Sequence, residues 1–246
     1  MGWAALSELV PYYPLYALLF LDTGLSGTQI SLLFAVWSVT AVLTEVPAGA
    51  LADRWSRRGA LVLGGVLQAL AFVVWTAAPS AAAFAVGFVV WGVAGSLWSG
   101  AAEALVYDGL AAVGAEDSFA RVNGGMTAAE LLVQVPTAVA ASLLFAVGGY
   151  PLVGWVSAGC CLAAAALATR FPEPPRADDD EDLLGTLRAG VAQAVRTPGL
   201  RLVVLAVALV GGLDAVEEYF PVMAADWGVG TAVVPYAALV VSLTGA

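Results

Sequence analysis

The sequence predicts an all-α integral membrane protein, and three observations support that prediction. Of the 246 residues, 61% are hydrophobic and 11% are charged, and the mean hydropathy is +0.90. A soluble domain is usually about 45–50% apolar and about 25% charged. Long uncharged runs recur along the chain, and about 20 apolar residues in a helix cross a bilayer. We therefore expect a helical bundle of about seven full transmembrane helices and a partial eighth, with the lipid bilayer around it.

The residue types that the chain lacks narrow its function. It has no His, and all nine of its basic residues are Arg, so it has no Lys. These absences exclude His-based triads and zinc motifs as well as Schiff-base and phosphate-loop lysines. Cys160 and Cys161 are adjacent in an apolar run, which favours two small packed side chains over metal ligands. A net charge of −10 argues against nucleic acid as a partner. We expect a protein that is not an enzyme and has no metal or cofactor.

Turns divide the apolar runs into spans. The run from Gly59 to Ala102 carries no charge and would be about 66 Å long as one helix, about twice the hydrocarbon thickness. It must fold back, and Pro79 lies at the natural turn. A second run, 131–169, is broken in the same way at Gly149. The predicted spans are 3–21, 28–52, 60–77, 81–106, 119–147, 152–169 and 200–225, and an eighth begins near Thr231.

A polar segment separates the first six spans from the rest. Residues 171–198 contain the acidic run 178–182 and then apolar residues at helical spacing, which predicts a cytoplasmic linker with an amphipathic helix. The linker separates a six-helix bundle, 1–170, from the start of a second bundle, 199–246. The eighth span has about 15 residues before Ala246, too few to cross comfortably. We therefore expect further C-terminal helices of the same protein as partners of this chain.

The arginines predict the orientation. Every Arg lies at a loop or helix end on the same side of the membrane as the N-terminus, and the turns near Asp22, Pro79, Gly149 and Asp226 carry none. Cytoplasmic loops are enriched in Lys and Arg, so we expect the N-terminus in the cytoplasm of a multi-pass plasma-membrane protein. The arginines are Arg54, Arg57, Arg58, Arg121, Arg170, Arg176, Arg188, Arg196 and Arg201.

The second span ends in a motif of small, acidic and basic residues. The sequence from Gly49 to Arg58 reads GALADRWSRR. It resembles the G-x-L-A-D-R-x-G-R-R signature of the major facilitator superfamily, which lies in a short cytoplasmic loop between spans two and three. Ser56 stands where the signature prefers Gly. The matching residues are Gly49, Leu51, Ala52, Asp53, Arg54, Arg57 and Arg58.

The resemblance implies a secondary transporter with two six-helix halves that moves a small organic solute by alternating access. Asp53 would brace the halves in one access state, and Gly49 would let another helix approach closely. The arginines would meet an acid at the cytoplasmic end of span four, where Glu103 and Asp108 are the candidates. Two signatures of the drug–proton antiporters, an Arg in span four and a G-P-x-x-G-G in span five, are absent.

Charged residues at membrane depth are candidates for a substrate or proton site, because they are costly to place there. Spans three and six carry none. Span five carries one polar stripe at helical spacing, formed by Asn123, Thr127, Glu130, Gln134 and Thr137. Glu130 is near the midplane and is the first candidate for proton coupling; a structural hydrogen bond between helices is the alternative. The substrate or coupling candidates are Glu130, Asp214, Glu45, Gln134, Glu217 and Glu218; Glu8 and Glu103 are the other acids within spans.

Small and aromatic residues of spans one and four favour packing over binding. Gly92, Ser96 and Gly100 recur every four residues, which is typical of close helix contacts. Aromatic side chains of the two spans could line a cavity, but a place in the core or at the membrane interface is favoured. They are Tyr12, Tyr13, Tyr16, Trp91 and Trp98.

The leading functional hypothesis is a secondary active transporter of a small organic solute, with proton-coupled efflux as its finer form. A non-transporting membrane scaffold or receptor is the alternative. The acids within the membrane and the motif from Gly49 to Arg58 discriminate against that alternative.

Overall fold

The computed structural model describes residues 1–173, 196–197, 199, 201–202 and 216–245. Residues 241–245 are described as backbone alone. The predicted all-α fold is confirmed, and no strand occurs among those residues. The helices are α1 (Gly2–Glu8), α2 (Tyr16–Asp22), α3 (Gly27–Arg54), α4 (Arg57–Ala77), α5 (Ala81–Trp98), α6 (Ala101–Ala111), α7 (Phe119–Ala168), α8 (Phe220–Asp226) and α9 (Val234–Gly245). Short 3₁₀ turns cover Glu116–Ser118 and Glu217–Tyr219.

The chain divides into two compact units, Met1–Pro174 with Pro221–Ala246, and Pro175–Phe220. Most of the predicted linker and most of the predicted span 200–225 lie outside the described residues. The first unit holds every cavity and ion pair described here. Within it, α9 packs against α7, and the Ser142 hydroxyl donates to the Ala232 carbonyl at 2.5 Å.

Four helical stretches of the described residues are long and apolar enough to cross a membrane. They are Gly27–Arg54, Arg57–Ala77, Ala81–Ala111 and Glu116–Ala168. Side chains such as Leu32, Val42 and Leu143 are exposed on them, with 61%, 75% and 60% of their surface accessible. Apolar side chains this exposed are expected of helices that lie in lipid.

α7 is two spans joined at one glycine. Gly149 has a φ of 60° and a ψ of −161°, which interrupts the helix at the predicted turn. The two arms then run back past the same segment of span one. Thr137 on the first arm donates to the Glu8 carbonyl at 3.4 Å, and Ser157 on the second accepts from the Tyr12 amide at 3.0 Å.

The predicted single helix over 3–21 is wrong, because span one is broken. α1 ends at Glu8, α2 begins at Tyr16, and residues 9–15 form turns between them. Pro11 and Pro14 explain the break, since each lacks an N–H donor and its ring clashes with the carbonyl four residues earlier. Both prolines were visible in the sequence, but the continuous hydropathy of the segment hid their effect.

The predicted span 81–106 is also interrupted. α5 ends at Trp98, Gly100 adopts a left-handed conformation with a φ of 70°, and α6 continues to Ala111. Glycine occupies that conformation without the steric cost of a Cβ. The predicted small-residue row therefore packs only in part. Gly92 lies against Thr40 of α3, and the Ser96 hydroxyl lies 2.8 Å from that of Thr44.

An aromatic core holds α2, α4 and α5 together. The side chains of Tyr16, Phe20, Trp75 and Phe88 are almost completely buried, and their rings meet mainly edge to face. Tyr12 is buried in the same cluster, while Tyr13 stacks on Trp91 with the ring centroids 5.5 Å apart. Edge-to-face and offset pairs add stabilisation beyond the area they bury. Four of the five aromatic residues singled out above thus pack in this cluster; the fifth, Trp98, is described with the cavity.

Replacing Gly87 by Ala should destabilise this core. A Cβ at Gly87 would overlap the indole ring of Trp75, which is completely buried and cannot move aside easily. We expect Gly87→Ala to lower the free energy of unfolding by about 1–3 kcal/mol, as overpacking does. Gly95→Ala on the same helix is the matched control, because a Cβ there meets nothing within 4 Å. Thermal unfolding in detergent compares them; equal midpoints would contradict the prediction.

Candidate functional site

Ser56 shapes the loop between α3 and α4. Its hydroxyl accepts a hydrogen bond from the Gly59 amide at 2.7 Å, so Ser56 is the N-cap of α4. Its φ of −173° is an extended conformation that any residue adopts. Serine is a preferred N-cap because its oxygen satisfies a free amide of the first turn. The residue that departs from the family signature is therefore well suited to its position.

Arg57 connects this loop to the end of α6. Its guanidinium pairs with Asp53 at 3.0 Å and with Asp108, and it donates to the Ala104 carbonyl at 3.3 Å. Asp108 is thus the acid that meets the loop arginine. Glu103, the other candidate, lies at a cavity described below.

Two residues of the predicted switch motif have no close partner among the described residues. A Cβ placed on Gly49 meets no atom within 4 Å, so the close helix approach expected there stays a prediction. Arg54 is exposed, and no ion pair to it occurs among the described residues.

Glu173 is a member of this loop cluster that sequence reasoning missed. Its carboxylate accepts from the Ser56 hydroxyl at 2.7 Å and from the Arg57 amide at 2.8 Å, and it lies 3.9 Å from the Arg58 guanidinium. Arg58 also donates to the Phe171 carbonyl at 3.2 Å. A carboxylate is favoured at the positive N-terminal end of a helix such as α4. The start of the predicted linker is therefore fastened to the α3–α4 loop.

A polar cavity of about 420 Å³ lies between α1, the α5–α6 break and α7. Both helix interruptions contribute to it, since α1 ends at Glu8 and the wall includes Ser99 and Gly100. Irregular backbone at membrane depth is tolerated where it is buried in protein or lines a water-filled cavity. The lining residues are Trp3, Ser7, Glu8, Trp98, Ser99, Gly100, Ala102, Glu103, Asn123, Met126, Thr127 and Glu130.

Three carboxyl groups from three helices meet at this cavity. Glu130 is repelled by Glu103 and attracted by the Met1 ammonium group, and Glu8 is repelled by Glu130. The Asn123 amide donates to Glu103 at 3.4 Å. No basic side chain is among the lining residues. The wall of the cavity is therefore strongly acidic.

The polar stripe of span five divides between the cavity and the protein. Asn123, Thr127 and Glu130 line the cavity, whereas Thr137 is buried and bonded to backbone. Gln134 is not among the lining residues. The sequence showed the stripe, but it could not show that Glu8 and Glu103 face it.

The remaining acidic candidates lie elsewhere. Glu45 is exposed on α3 and does not line the cavity. Asp214 lies outside the described residues. Glu217 and Glu218 are on a 3₁₀ turn of the second unit, where Glu217 is exposed and Glu218 is partly buried.

An apolar cavity of about 320 Å³ adjoins the polar one. The two share Trp3, Ala102 and Met126 in their walls. The remaining wall is almost entirely hydrocarbon or aromatic. It is formed by Met1, Leu61, Leu105, Val106, Gly109, Leu110, Val122, Phe171 and Pro172.

Comparisons with known proteins agree on one family. The model of the Major Facilitator Superfamily matches residues 2–246. Two uncharacterized MFS-type transporters of Mycobacterium tuberculosis, from strains H37Rv and CDC 1551, are 32% identical over 173 residues, which is 70% of this chain. The match spans 40% of the length of each relative.

A solved structure shows the same fold. The crystal structure of a D-xylose–proton symporter superposes with a TM-score of 0.63 at 15% sequence identity. The match covers 98% of this chain and 64% of the symporter.

Proposed function

Because the chain belongs to the major facilitator superfamily, we propose that it carries the solute site of a secondary transporter that works by alternating access. The observation behind this proposal is the polar cavity, where two helix breaks meet three carboxyl groups. Its volume of about 420 Å³ is within the range of small-molecule sites. A small organic solute binds there, and the remaining helices of the transporter close the site from the other side.

Proton coupling is assigned to Glu130 together with Glu8. Two neighbouring carboxyl groups repel each other when both are ionised, so a pair of this kind holds one proton more readily than two isolated acids. Glu8 also ends a helix, where the negative end of the helix dipole disfavours a second negative charge. Solute binding and protonation then compete for one acidic cavity, which is the arrangement needed for proton-coupled efflux.

The α3–α4 loop is assigned the role of a conformational switch. Arg57 holds Asp53 of α3 and Asp108 of α6 together, and Glu173 fastens the chain after α7 to the same loop. The ends of four helices are thus linked through this loop. Gly49, Arg54 and Arg58 complete the switch. The Asp53 carboxylate braces the α3–α4 loop against the second half of the transporter.

The orientation follows from the arginines. The N-terminus and the α3–α4 loop face the cytoplasm of the plasma membrane. Glu8, Glu103 and Glu130 lie in the halves of spans one, four and five that are nearer that side. The cavity is therefore open to cytoplasmic solutes in one access state, as efflux requires.

Solute exchange in proteoliposomes tests the proposal. The whole reading frame is reconstituted, and counterflow is measured for a panel of labelled organic cations, anions and neutral solutes that includes D-xylose. We expect saturable exchange of at least one solute. Thr127→Trp should lower the exchange rate more than about tenfold, because Thr127 lines the cavity and the larger indole would occupy the space of the solute.

Leu132→Trp is the matched control on the same helix. Its side chain is 72% exposed and does not line the cavity, so exchange should stay at the parental rate. Specific binding without exchange would instead indicate the receptor hypothesis. Equal exchange by the Thr127→Trp and parental proteins would contradict the assignment of the cavity.

A further inference from the structure

The polar and apolar cavities adjoin and together form an amphiphilic site. Their volumes are about 420 Å³ and about 320 Å³, and Trp3, Ala102 and Met126 belong to both walls. One end of the site presents carboxyl groups, and the other presents hydrocarbon and the ring of Phe171. A solute that fills both ends has a polar group and an apolar body.

The charge of the polar end selects the sign of that polar group. Glu8, Glu103 and Glu130 are the charged side chains of its wall, and the Met1 ammonium group is the positive charge that acts on Glu130. Net negative charge in a partly desolvated cavity attracts a cation and repels an anion. The acids are spread over a space much larger than an ion. Among the described residues, no group of three acidic or thiol side chains is arranged to hold a metal.

Trp3 gives an independent indication that a ligand belongs here. Only 7% of its surface is exposed, and its indole N–H has no hydrogen-bond partner among the described residues. A buried donor without an acceptor is unfavourable, and an acceptor atom on a ligand, or a water molecule bound with it, can relieve it at the wall that Trp3 shares between the cavities. The Trp ring is also the best aromatic partner for a cation.

We propose that the solute is an organic cation with an apolar body. Its positive group lies among Glu8, Glu103 and Glu130 and against the ring of Trp3, and its apolar body lies against Met126 in the adjoining cavity. This substrate class rests on the proposed transport function and specifies the site of that function.

Binding of a charge-matched series to the whole reading frame in nanodiscs tests the substrate class. Tetraphenylphosphonium and tetraphenylborate have the same shape and opposite charge, tetramethylammonium lacks the apolar body, and D-xylose is neutral. We expect tetraphenylphosphonium to bind at least about tenfold more tightly than each of the other three. This comparison uses the parental protein, so it does not depend on the folding of a variant.

Glu103→Gln tests whether the acidic wall of the polar cavity attracts the cation. Removing one carboxylate should weaken tetraphenylphosphonium binding about tenfold. Glu103→Asp, which keeps the charge, should restore most of that affinity. Glu116→Gln is the control, because Glu116 is exposed on a 3₁₀ turn outside the cavity.

The outcomes separate this proposal from the transport proposal. Preferred binding of tetraphenylborate or D-xylose, together with solute exchange, would overturn the cationic class and leave transport standing. Tetraphenylphosphonium binding that Glu103→Gln leaves unchanged would overturn the assigned site. Absence of both binding and exchange for every probe would overturn the transport proposal itself.

Discussion

Glu130→Gln should abolish proton-driven accumulation and spare downhill solute exchange. An amide has nearly the shape of a protonated carboxyl but cannot take up or release a proton, so the variant stays in one charge state through the cycle. Glu8 and Glu103 remain to attract the solute. We expect uphill transport under a pH gradient to fall at least about 100-fold, while counterflow at saturating solute stays within about threefold of the parental rate.

The measurement compares uphill flux and counterflow in the same proteoliposomes. Glu8→Gln should give the same separation, because the two acids hold the proton jointly. Glu116→Gln is the control, and both of its rates should equal the parental rates. If Glu130→Gln accumulates solute at the parental rate, Glu130 serves as a structural hydrogen-bonding group.

The coarse architecture was predictable because lipid imposes strong rules on a sequence. Uncharged runs indicated helices that cross the membrane, and the turns at Pro79 and Gly149 were visible as breakers. Gly149 is nonhelical at the predicted place, and α5 begins after an N-cap at Ser80. These features depend on local chemistry and on the thickness of the bilayer.

The site was less predictable because it depends on contacts between distant segments. The stripe containing Glu130 was evident from helical spacing, but its convergence with Glu8 and Glu103 requires the packing of three helices. The breaks after Glu8 and at Gly100 occur within apolar runs, where hydropathy gives no signal. Glu173 reaches Arg57 across 116 positions of sequence.

Asp108→Asn should slow the transport cycle and preserve solute binding. Asp108 pairs with Arg57 and is not among the residues that line the polar cavity. The substitution leaves the Arg57 guanidinium with Asp53 alone and loosens α6 from the α3–α4 loop. We expect turnover to fall about tenfold, which corresponds to about 1.4 kcal/mol, with the dissociation constant for solute changed less than about threefold.

Asp117→Asn is the matched control, since Asp117 is an exposed acid on the 3₁₀ turn before α7. A double-mutant cycle then tests whether Asp108 acts through Arg57. If the pair is the coupling element, Arg57→Ala after Asp108→Asn should add little further loss, and the coupling energy should be about 1–3 kcal/mol. Fully additive losses would show that the two residues act separately. If Asp108→Asn turns over at the parental rate, the ion pair has no role in the transport cycle, and Arg57 serves only to orient the protein in the membrane.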